Sequence, residues 1–153
     1  MSVVYLLDIN VLLALLDPLH VSHQKAHAWF ARKGKKGWAT CPLTENGVVR
    51  IASHPAYPNS PGMPVVVASL LSQFCLLEGH AFWPDDISLL TSSCITNPSL
   101  MTHSQITDVY LLGLAAHHRG KLATLDRHVP AGAVKDGESA LEIVASYLSR
   151  PPN

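Results

Sequence analysis

Cysteine is scarce in this chain of 153 residues. Only Cys41, Cys75 and Cys94 are present, an odd number without close paired spacing. This pattern argues against a disulfide framework of the kind that staples small secreted domains, and against a zinc site built from cysteines. We therefore expect a reduced intracellular protein with small buried thiols.

Net charge and long apolar runs are also lacking. The 11 basic side chains balance the 11 acidic ones, so the chain does not grip nucleic acid through a bulk positive field. No run reaches the roughly 18 apolar residues of a membrane span, and no secretory signal precedes the first predicted strand. We expect a cytoplasmic protein with no membrane partner. With 48% hydrophobic and 14% charged residues, the composition also predicts a covered apolar surface, as in a homodimer.

The stretch from Val3 to Leu16 is the most informative part of the sequence. Five apolar or aromatic residues run without a break into Asp8, which is typical of a strand buried on both faces of a parallel sheet. Asn10 follows, and the apolar residues after it predict a helix that packs back on the sheet. Ligands bind beyond the carboxyl ends of strands in such sheets. Asp8 is therefore a candidate for chemistry.

Predicted strands and helices alternate along the rest of the chain. Further strands are predicted at 37–41, 80–84, 121–125 and 141–145, and helices at 21–32, 42–52, 65–77 and 105–119. A proline-rich loop is predicted at 54–64, and a short helix capped by Asp85 or Asp86 after the third strand. This order predicts an α/β fold with a central, mainly parallel sheet of four to five strands and helices on both faces. The length suits one domain spanning 1–153.

Four acidic residues occupy equivalent kinds of position in this prediction. Asp8 and Asp126 end strands, whereas Glu45 and Asp108 lie in the first turns of helices. Two unit charges about 4 Å apart repel by about 4 kcal/mol at an effective dielectric of 20, so such a group requires a compensating cation or bound protons. All-oxygen ligands favour Mg²⁺ or Mn²⁺.

Each acid also has a purely structural interpretation. Asp8 is a suitable helix cap, Glu45 and Asp108 complement helix dipoles, and Asp126 suits a turn. Taken singly, these interpretations are the stronger ones. Their joint occurrence at the ends of the two most apolar strands and the starts of two apolar helices favours a shared site.

The acidic motifs resemble those of a known family. Leu-Leu-Asp8-Ile-Asn10, Thr44-Glu45-Asn, Ile-Thr107-Asp108 and Leu-Ala-Thr124-Leu-Asp126 are similar, in order and spacing, to the successive motifs of PIN domains. The stretches His54-Pro-Ala-Tyr-Pro58 and Phe82-Trp-Pro-Asp-Asp86 resemble the VapC toxins of type II toxin-antitoxin pairs. The resemblance runs from about Val4 to Asp126, and it implies a three-layer PIN-like nuclease domain.

The resemblance implies a metal-dependent endoribonuclease that cuts structured RNA, often transfer or ribosomal RNA, and that a cognate antitoxin inhibits. By motif, Mg²⁺ or Mn²⁺ is held by Asp8, Glu45, Asp108 and Asp126. Carboxylates or water are oriented by Asn10, Thr44, Thr107 and Thr124, for which ordinary capping and turn chemistry is an equally good explanation. The expected assembly is a homodimer, or a heterotetramer or larger complex with the antitoxin.

Two other functions remain open from the sequence. A non-catalytic PIN-like module that binds RNA or protein would carry a degenerate site, whereas all four acids are present here. A phosphate-receiver domain would carry paired acids before the end of its first strand, where this chain has Tyr5-Leu-Leu. Failure to bind metal would favour the first alternative.

Histidines and basic residues have bland interpretations. His20, His23 and His27 recur at helical spacing, which invites a zinc hypothesis, but an exposed polar helix face explains the pattern. His117 and His118 are placed to interact with a helix dipole. Arg50 and Arg127 are nearer to the predicted acidic rim than the run of basic residues at 32–36, so they are the better candidates for phosphate contacts.

Overall fold

The structure, a computed structural model, describes residues 2–145. Within that range the chain forms five strands and five α-helices, in the order β1 (Tyr5–Leu7), α1 (Ile9–Leu16), α2 (His23–Arg32), β2 (Trp38–Thr40), α3 (Pro42–Ala52), α4 (Pro64–Phe74), β3 (His80–Phe82), α5 (Ile106–His117), β4 (Lys121–Thr124) and β5 (Leu141–Ile143). Proline is the first residue of both α3 and α4, a position where its fixed φ suits a helix and its missing N–H costs nothing.

The strands form one sheet in the order β3-β2-β1-β4-β5, and every pairing is parallel. β1 lies at the centre, between β2 and β4. The chain fills one half of the sheet before it crosses to the other, so the strand order reverses between β1 and β4. Such a reversal opens a crevice at the carboxyl ends of the two strands. The predicted parallel sheet is confirmed, and its last apolar segment is the edge strand β5.

Helices cover both faces of the sheet. Successive residues of β1 point to opposite sides, so Leu7 packs against the apolar faces of α1, α2, α3 and α4, whereas Leu6 packs against α5. Both leucines are fully buried. Burying one leucine side chain contributes about 1.5–3 kcal/mol, and the two cores fix the central strand between them. The predicted three-layer arrangement is confirmed.

The short helix predicted after Asp85 is wrong. Residues 83–88 form no helix, and a single turn follows them. The two acids bind other elements instead of capping one: Asp85 accepts a hydrogen bond from the Leu43 amide at 3.1 Å, and Asp86 lies 2.9 Å from His118 Nε2. His118 also stacks on the Trp83 ring. These partners hold the segment extended across the end of α5, where His118 is the C-cap residue. The dipole interaction predicted for His118 stays a prediction.

Helix α4 ends at Phe74, three residues before the predicted end at Leu77. Turns follow, and Leu76 is 85% exposed, so the apolar spacing beyond Phe74 does not bury a helix face. Gly79 then adopts a φ of 91° beside the Lys35 carbonyl, where a β-carbon would overlap that oxygen. The chain needs this close approach to enter β3.

The two histidines of α2 do more than form the exposed polar helix face that the sequence predicts. His23 Nδ1 lies 2.7 Å from the Ala14 carbonyl oxygen and His27 Nε2 lies 3.0 Å from that of Leu15. These carbonyls belong to the last turn of α1, where no amide within the helix can reach them. The two imidazoles therefore complete the end of α1. No helix in residues 2–145 has the length and apolar character to cross a membrane.

The three cysteines are free thiols, as predicted. Cys41 is fully buried, but Cys75 and Cys94 are only half-buried, so the expectation of uniformly buried thiols is wrong for two of them. Cys41 closes β2 at the start of α3, where burial raises the pKa of its thiol to about 11.

Candidate active site

Asp8 lies at the carboxyl end of the central strand and opens α1. Its Oδ1 accepts a hydrogen bond from the Ile9 amide at 2.7 Å, and its Oδ2 accepts one from the Thr124 hydroxyl at 2.7 Å. The residue is 4% exposed. Burial raises the pKa of Asp8 above its ordinary value, the two hydrogen bonds oppose the rise, and the charge of Asp126 adds to it. Asp8 is thus a carboxylate fixed in orientation and short of counter-charge.

Thr124 joins the two strands at the switch point through its side chain. Its hydroxyl donates to Asp8, and it accepts hydrogen bonds from the Asn10 side-chain amide at 3.2 Å and the Asp126 backbone amide at 3.1 Å. Asn10 in turn accepts from the Leu125 amide at 3.1 Å. A hydroxyl offers one donor and two acceptor sites, and all three are used here. The start of α1 is therefore tied to the turn that presents Asp126.

Asp108 lies close enough to Asp8 and Asp126 to feel their charges, and it belongs to α5 on the other face of the sheet. It is half-buried in the first turn of α5. Burial and, to a smaller extent, the charges of Asp8 and Asp126 together raise the pKa of Asp108 to about 6. Among the residues described, the three carboxylates do not each place an oxygen within 4.8 Å of both others. Their coupling is electrostatic, since the charges of Asp8 and Asp126 act on Asp108.

This trio suits a hard divalent cation. Every donor is an oxygen. Neighbouring carboxylates raise the pKa values of Asp8 and Asp108, so a cation bound among them would offset this repulsion. Mg²⁺ commonly binds through one or two carboxylates and retains several waters.

Glu45 has different neighbours. It lies in the first turn of α3, and its Oε2 accepts a hydrogen bond from the Thr40 hydroxyl at 2.6 Å. The same hydroxyl oxygen lies 2.8 Å from His80 Nε2. Glu45, Cys75 and His80 each place a ligand atom within 4.8 Å of the other two. The charges that raise the pKa of Asp108 are those of Asp8 and Asp126, and Glu45 is not among them.

Comparison of the sequence with known proteins identifies its family. No family profile matches the chain. Ribonuclease VapC44 from Mycobacterium tuberculosis is 43% identical over 132 residues, which cover 84% of this chain and 90% of VapC44. Ribonuclease VapC39 from the same organism is 40% identical over 135 residues, covering 88% and 94% of the two chains. The chain belongs to the VapC ribonuclease family.

Solved structures share the fold of this VapC-family chain at low sequence identity. FitAcB from Neisseria gonorrhoeae aligns with a TM-score of 0.63 and 18% identity, covering 90% of this chain and 95% of that one. VapC20 from Mycobacterium tuberculosis, a sarcin-ricin loop cleaving toxin, aligns with a TM-score of 0.53 and 10% identity, covering 86% and 97%. These alignments confirm the PIN-like fold.

The four residues predicted to orient carboxylates or water in this VapC-family chain have different surroundings. Asn10 and Thr124 form the hydrogen-bonded connection beside Asp8. Thr44 is fully buried and exchanges hydrogen bonds with the backbone of Cys41 at the start of α3, which is the capping role that the sequence left open. Thr107 is exposed, and its side chain makes no hydrogen bond within residues 2–145. Roles in orienting a ligand stay predictions for all four.

Sequence reasoning missed the partners of Glu45. Thr40, Cys75 and His80 come from the end of β2, the residue after α4 and the start of β3, so no local motif joins them. Only Thr40 carried a usable signal, because it is a hydroxyl residue near the carboxyl end of a predicted strand. Cys75 and His80 meet Glu45 through the packing of α3 against α4 and of β2 against β3, which the sequence does not encode as a pattern.

The basic residues near the acids differ in surroundings. Arg127 is exposed and follows Asp126 directly. Arg50 lines a cavity of about 620 Å³ that Glu45 also lines. By contrast, Lys33 in the basic run pairs with Glu142 at 2.7 Å. The placement of Arg50 and Arg127 is compatible with the phosphate contacts predicted for them, which stay predictions.

Proposed function

We propose that this VapC-family protein hydrolyses RNA phosphodiester bonds in a cation-dependent reaction centred on Asp8, Asp108 and Asp126, with Glu45 at the edge of the site. The observation that carries the proposal is the convergence of three carboxylates at the switch point, two of which have pKa values raised partly by the charges of the others. A binding module gains nothing from this electrostatic cost. A hydrolase uses it to hold a cation against a phosphate.

The biological role follows from the family. The protein is a ribonuclease toxin of a toxin-antitoxin pair, and we propose that it acts in the cytoplasm on structured RNA such as transfer or ribosomal RNA. The proposed domain spans residues 1–153. The proposed cation is Mg²⁺ or Mn²⁺, because all the donors are oxygens.

The chain's own side chains have separable tasks in the reaction. When bound, the cation lowers the pKa of a water and offsets the charge that grows on the phosphate oxygens. Asp8 keeps one orientation because the Ile9 amide and the Thr124 hydroxyl hold its two oxygens. Asp108, with its pKa near 6, is mostly ionised at neutral pH and exchanges its proton easily. Arg127, next to Asp126, is placed to bind a flanking phosphate.

The antitoxin needs an apolar surface, and α4 provides one. Val65, Val66 and Leu70 are 71%, 40% and 40% exposed, and a cavity of about 200 Å³ beside Leu70 is lined mainly by apolar residues. A solved structure with this fold is the VapBC2 complex of Rickettsia felis, with a TM-score of 0.52 and 12% identity, covering 92% of this chain and 98% of that one. We propose that the antitoxin covers this face, in a heterotetramer or larger assembly built on a toxin homodimer.

The deciding experiment is cleavage of total cellular RNA by the purified chain. Parallel reactions contain Mg²⁺, Mn²⁺ or EDTA, and the ends of the products are mapped. We expect discrete products with either cation and none with EDTA. Asp108→Asn should lower the cleavage rate by about a hundredfold or more, because several kcal/mol of transition-state stabilisation depend on the cation.

Asp136→Asn is the matched control. Asp136 is exposed and has a φ of 58°, a conformation that asparagine also adopts readily. This variant makes the same chemical change outside the crevice and should cleave at the wild-type rate. Cation-dependent cleavage by Asp108→Asn at the wild-type rate would contradict the site. Absence of cation binding by the wild-type chain would favour the non-catalytic alternative.

A further inference from the structure

Three residues with different ligand chemistry meet around the Thr40 side chain. Glu45 comes from the first turn of α3, Cys75 follows α4 directly, and His80 begins β3. A carboxylate oxygen, the thiol sulfur and an imidazole nitrogen all lie within 4.8 Å of one another. All three residues are half-buried. A mixed oxygen, sulfur and nitrogen set differs from the all-oxygen set at Asp8, Asp108 and Asp126.

The surrounding side chains hold the cluster in position. The Thr40 hydroxyl lies between Glu45 and His80, at 2.6 and 2.8 Å. It has one proton, so it donates to the ionised carboxylate and accepts a hydrogen bond from His80 Nε2 in the free protein. An ion that binds at Nε2 takes the place of this hydrogen bond as the imidazole proton moves to Nδ1. The Trp38 ring packs 4.6 Å from the imidazole, centroid to centroid. The carboxylate and the imidazole are therefore oriented before any ion arrives, which lowers the entropic cost of binding one.

We propose that Glu45, Cys75 and His80 form a binding site for Zn²⁺, separate in its chemistry from the proposed Mg²⁺ or Mn²⁺ site. Zn²⁺ takes thiolate, imidazole and carboxylate ligands in tetrahedral sites, and three protein ligands leave the fourth position for water. Mg²⁺ does not favour sulfur and nitrogen ligands. The cavity of about 620 Å³ that Glu45 and Cys75 line gives an ion access from solvent.

Zinc ligation also settles where the thiol proton goes. Zn²⁺ binds a thiolate, so a sulfur–zinc bond replaces the sulfur–hydrogen bond of Cys75 and the proton is released to solvent.

One consequence concerns activity, and it rests on the proposed function. Glu45 is one of the four acids that the family motifs assign to the catalytic cation. A Zn²⁺ ion held with Cys75 and His80 commits the Glu45 carboxylate to a second ion. We therefore expect Zn²⁺ to inhibit cleavage in the presence of excess Mg²⁺, and Cys75→Ser to relieve that inhibition.

Binding is tested by titrating the full-length, tag-free chain with Co²⁺, which replaces Zn²⁺ and reports a thiolate ligand by a charge-transfer band. The wild-type chain should bind Co²⁺ with this band, and Zn²⁺ should then remove it. Cys75→Ser should abolish the band, and His80→Gln should weaken binding by at least about tenfold. Cys94→Ser is the matched control, since Cys94 is half-buried but outside the cluster, and it should retain the band.

Two further measurements separate loss of the zinc site from misfolding and from failure of the nuclease proposal. Circular dichroism establishes that Cys75→Ser and His80→Gln fold, and Zn²⁺ should raise the Tm of the wild-type chain but not that of His80→Gln. Asp108→Asn should lose RNA cleavage and keep the Co²⁺ band, so a failure of the nuclease proposal leaves this site standing. A wild-type chain without the band, or a band of equal strength in Cys75→Ser, would overturn the zinc site.

Discussion

Thr124 and Asp8 are 116 positions apart in the sequence, yet the Thr124 hydroxyl donates a 2.7 Å hydrogen bond to Asp8 Oδ2. Both residues are buried, so water does not substitute readily for either partner. The bond places an acidic side chain at the end of β1 under the control of the neighbouring strand β4. It is the contact through which the sheet sets the direction of the candidate catalytic carboxylate.

Thr124→Val should therefore weaken the site without removing any of its acids. Valine has a similar shape but no hydroxyl, so Asp8, Asn10 and the Asp126 amide all lose a partner. We expect Mn²⁺ affinity to fall by about 10- to 100-fold, as is common when a group that orients a ligand is lost. The free energy of unfolding should also decrease by about 1–3 kcal/mol, because buried polar groups are left unpaired. Calorimetric Mn²⁺ titration and urea denaturation measure the two effects.

Thr96→Val makes the same change at an exposed threonine outside the crevice. It should leave Mn²⁺ affinity unaltered. Equal Mn²⁺ affinity in Thr124→Val and the wild-type chain would show that Thr124 supports the fold alone.

The stability of the cation-free protein should depend on pH through Asp108. Its pKa is raised from 3.8 to about 6 in the folded state, so the folded state binds the proton more tightly than the unfolded state. The resulting stabilisation is complete below about pH 3.8 and is lost as the pH increases through about 6. Asp8, whose pKa is also raised, acts in the same direction.

Asp108→Asn removes one of these charges and isolates its effect. In EDTA, the free energy of unfolding of the wild-type chain should fall relative to that of the variant as the pH increases from about 4 to about 7. Saturating Mg²⁺ should reverse the difference, since only the wild-type site is complete. Urea denaturation across this pH range gives the measurement. If the free energies of unfolding of the two chains change in parallel with pH in EDTA, the pKa of Asp108 is not raised in the folded state.

The sequence predicted the architecture well because the architecture depends on local patterns. The apolar run before Asp8 and the alternation of strands with amphipathic helices are enough to specify a parallel sheet with two covered faces. The same patterns predicted that Glu45 and Asp108 lie in the first turns of helices, and both do. Family motifs supplied the chemistry that local patterns lack.

Side-chain partners were harder to predict because they depend on packing between distant segments. Thr44 has the spacing of a site residue, but it bonds the Cys41 backbone. Asp86 has the position of a helix cap, but it pairs with His118, 32 residues away. The cluster of Glu45, Cys75 and His80 has no sequence signature at all. Thr44 and Cys41 are only three residues apart, but in the other two examples the partner is brought near by an adjacent strand or a packed helix, which no local periodicity reports.

Gly120 should tolerate no larger residue, because the chain passes close to two neighbours on entering β4. A β-carbon at this position would overlap the Val4 carbonyl oxygen and lie 2.6 Å from Cη2 of Trp83. We expect Gly120→Ala to lower the free energy of unfolding by about 1–3 kcal/mol, the usual cost of overpacking. Urea denaturation provides the value.

Gly113→Ala is the comparison, since the nearest atom to its added carbon is 3.3 Å away on the Ile87 side chain. Gly113 lies within α5, where alanine is favoured over glycine by about 1 kcal/mol. This variant should be as stable as the wild-type chain or more stable. Wild-type stability of Gly120→Ala would show that Val4 and Trp83 shift at little cost to make room for the added carbon.

The exposed apolar face of α4 should be the surface that the antitoxin covers. Val66 and Leu70 are one helical turn apart and both 40% exposed, so a charge at either position leaves the core intact but opposes an apolar partner. Val66→Glu should weaken binding of the cognate antitoxin by about tenfold or more, measured by calorimetry with the purified pair. RNA cleavage by the free toxin should be unaltered.

Leu90→Glu changes a residue that is 90% exposed in a turn, and it should bind the antitoxin normally. If Val66→Glu and Leu90→Glu bind the antitoxin with equal affinity, the partner uses a different face.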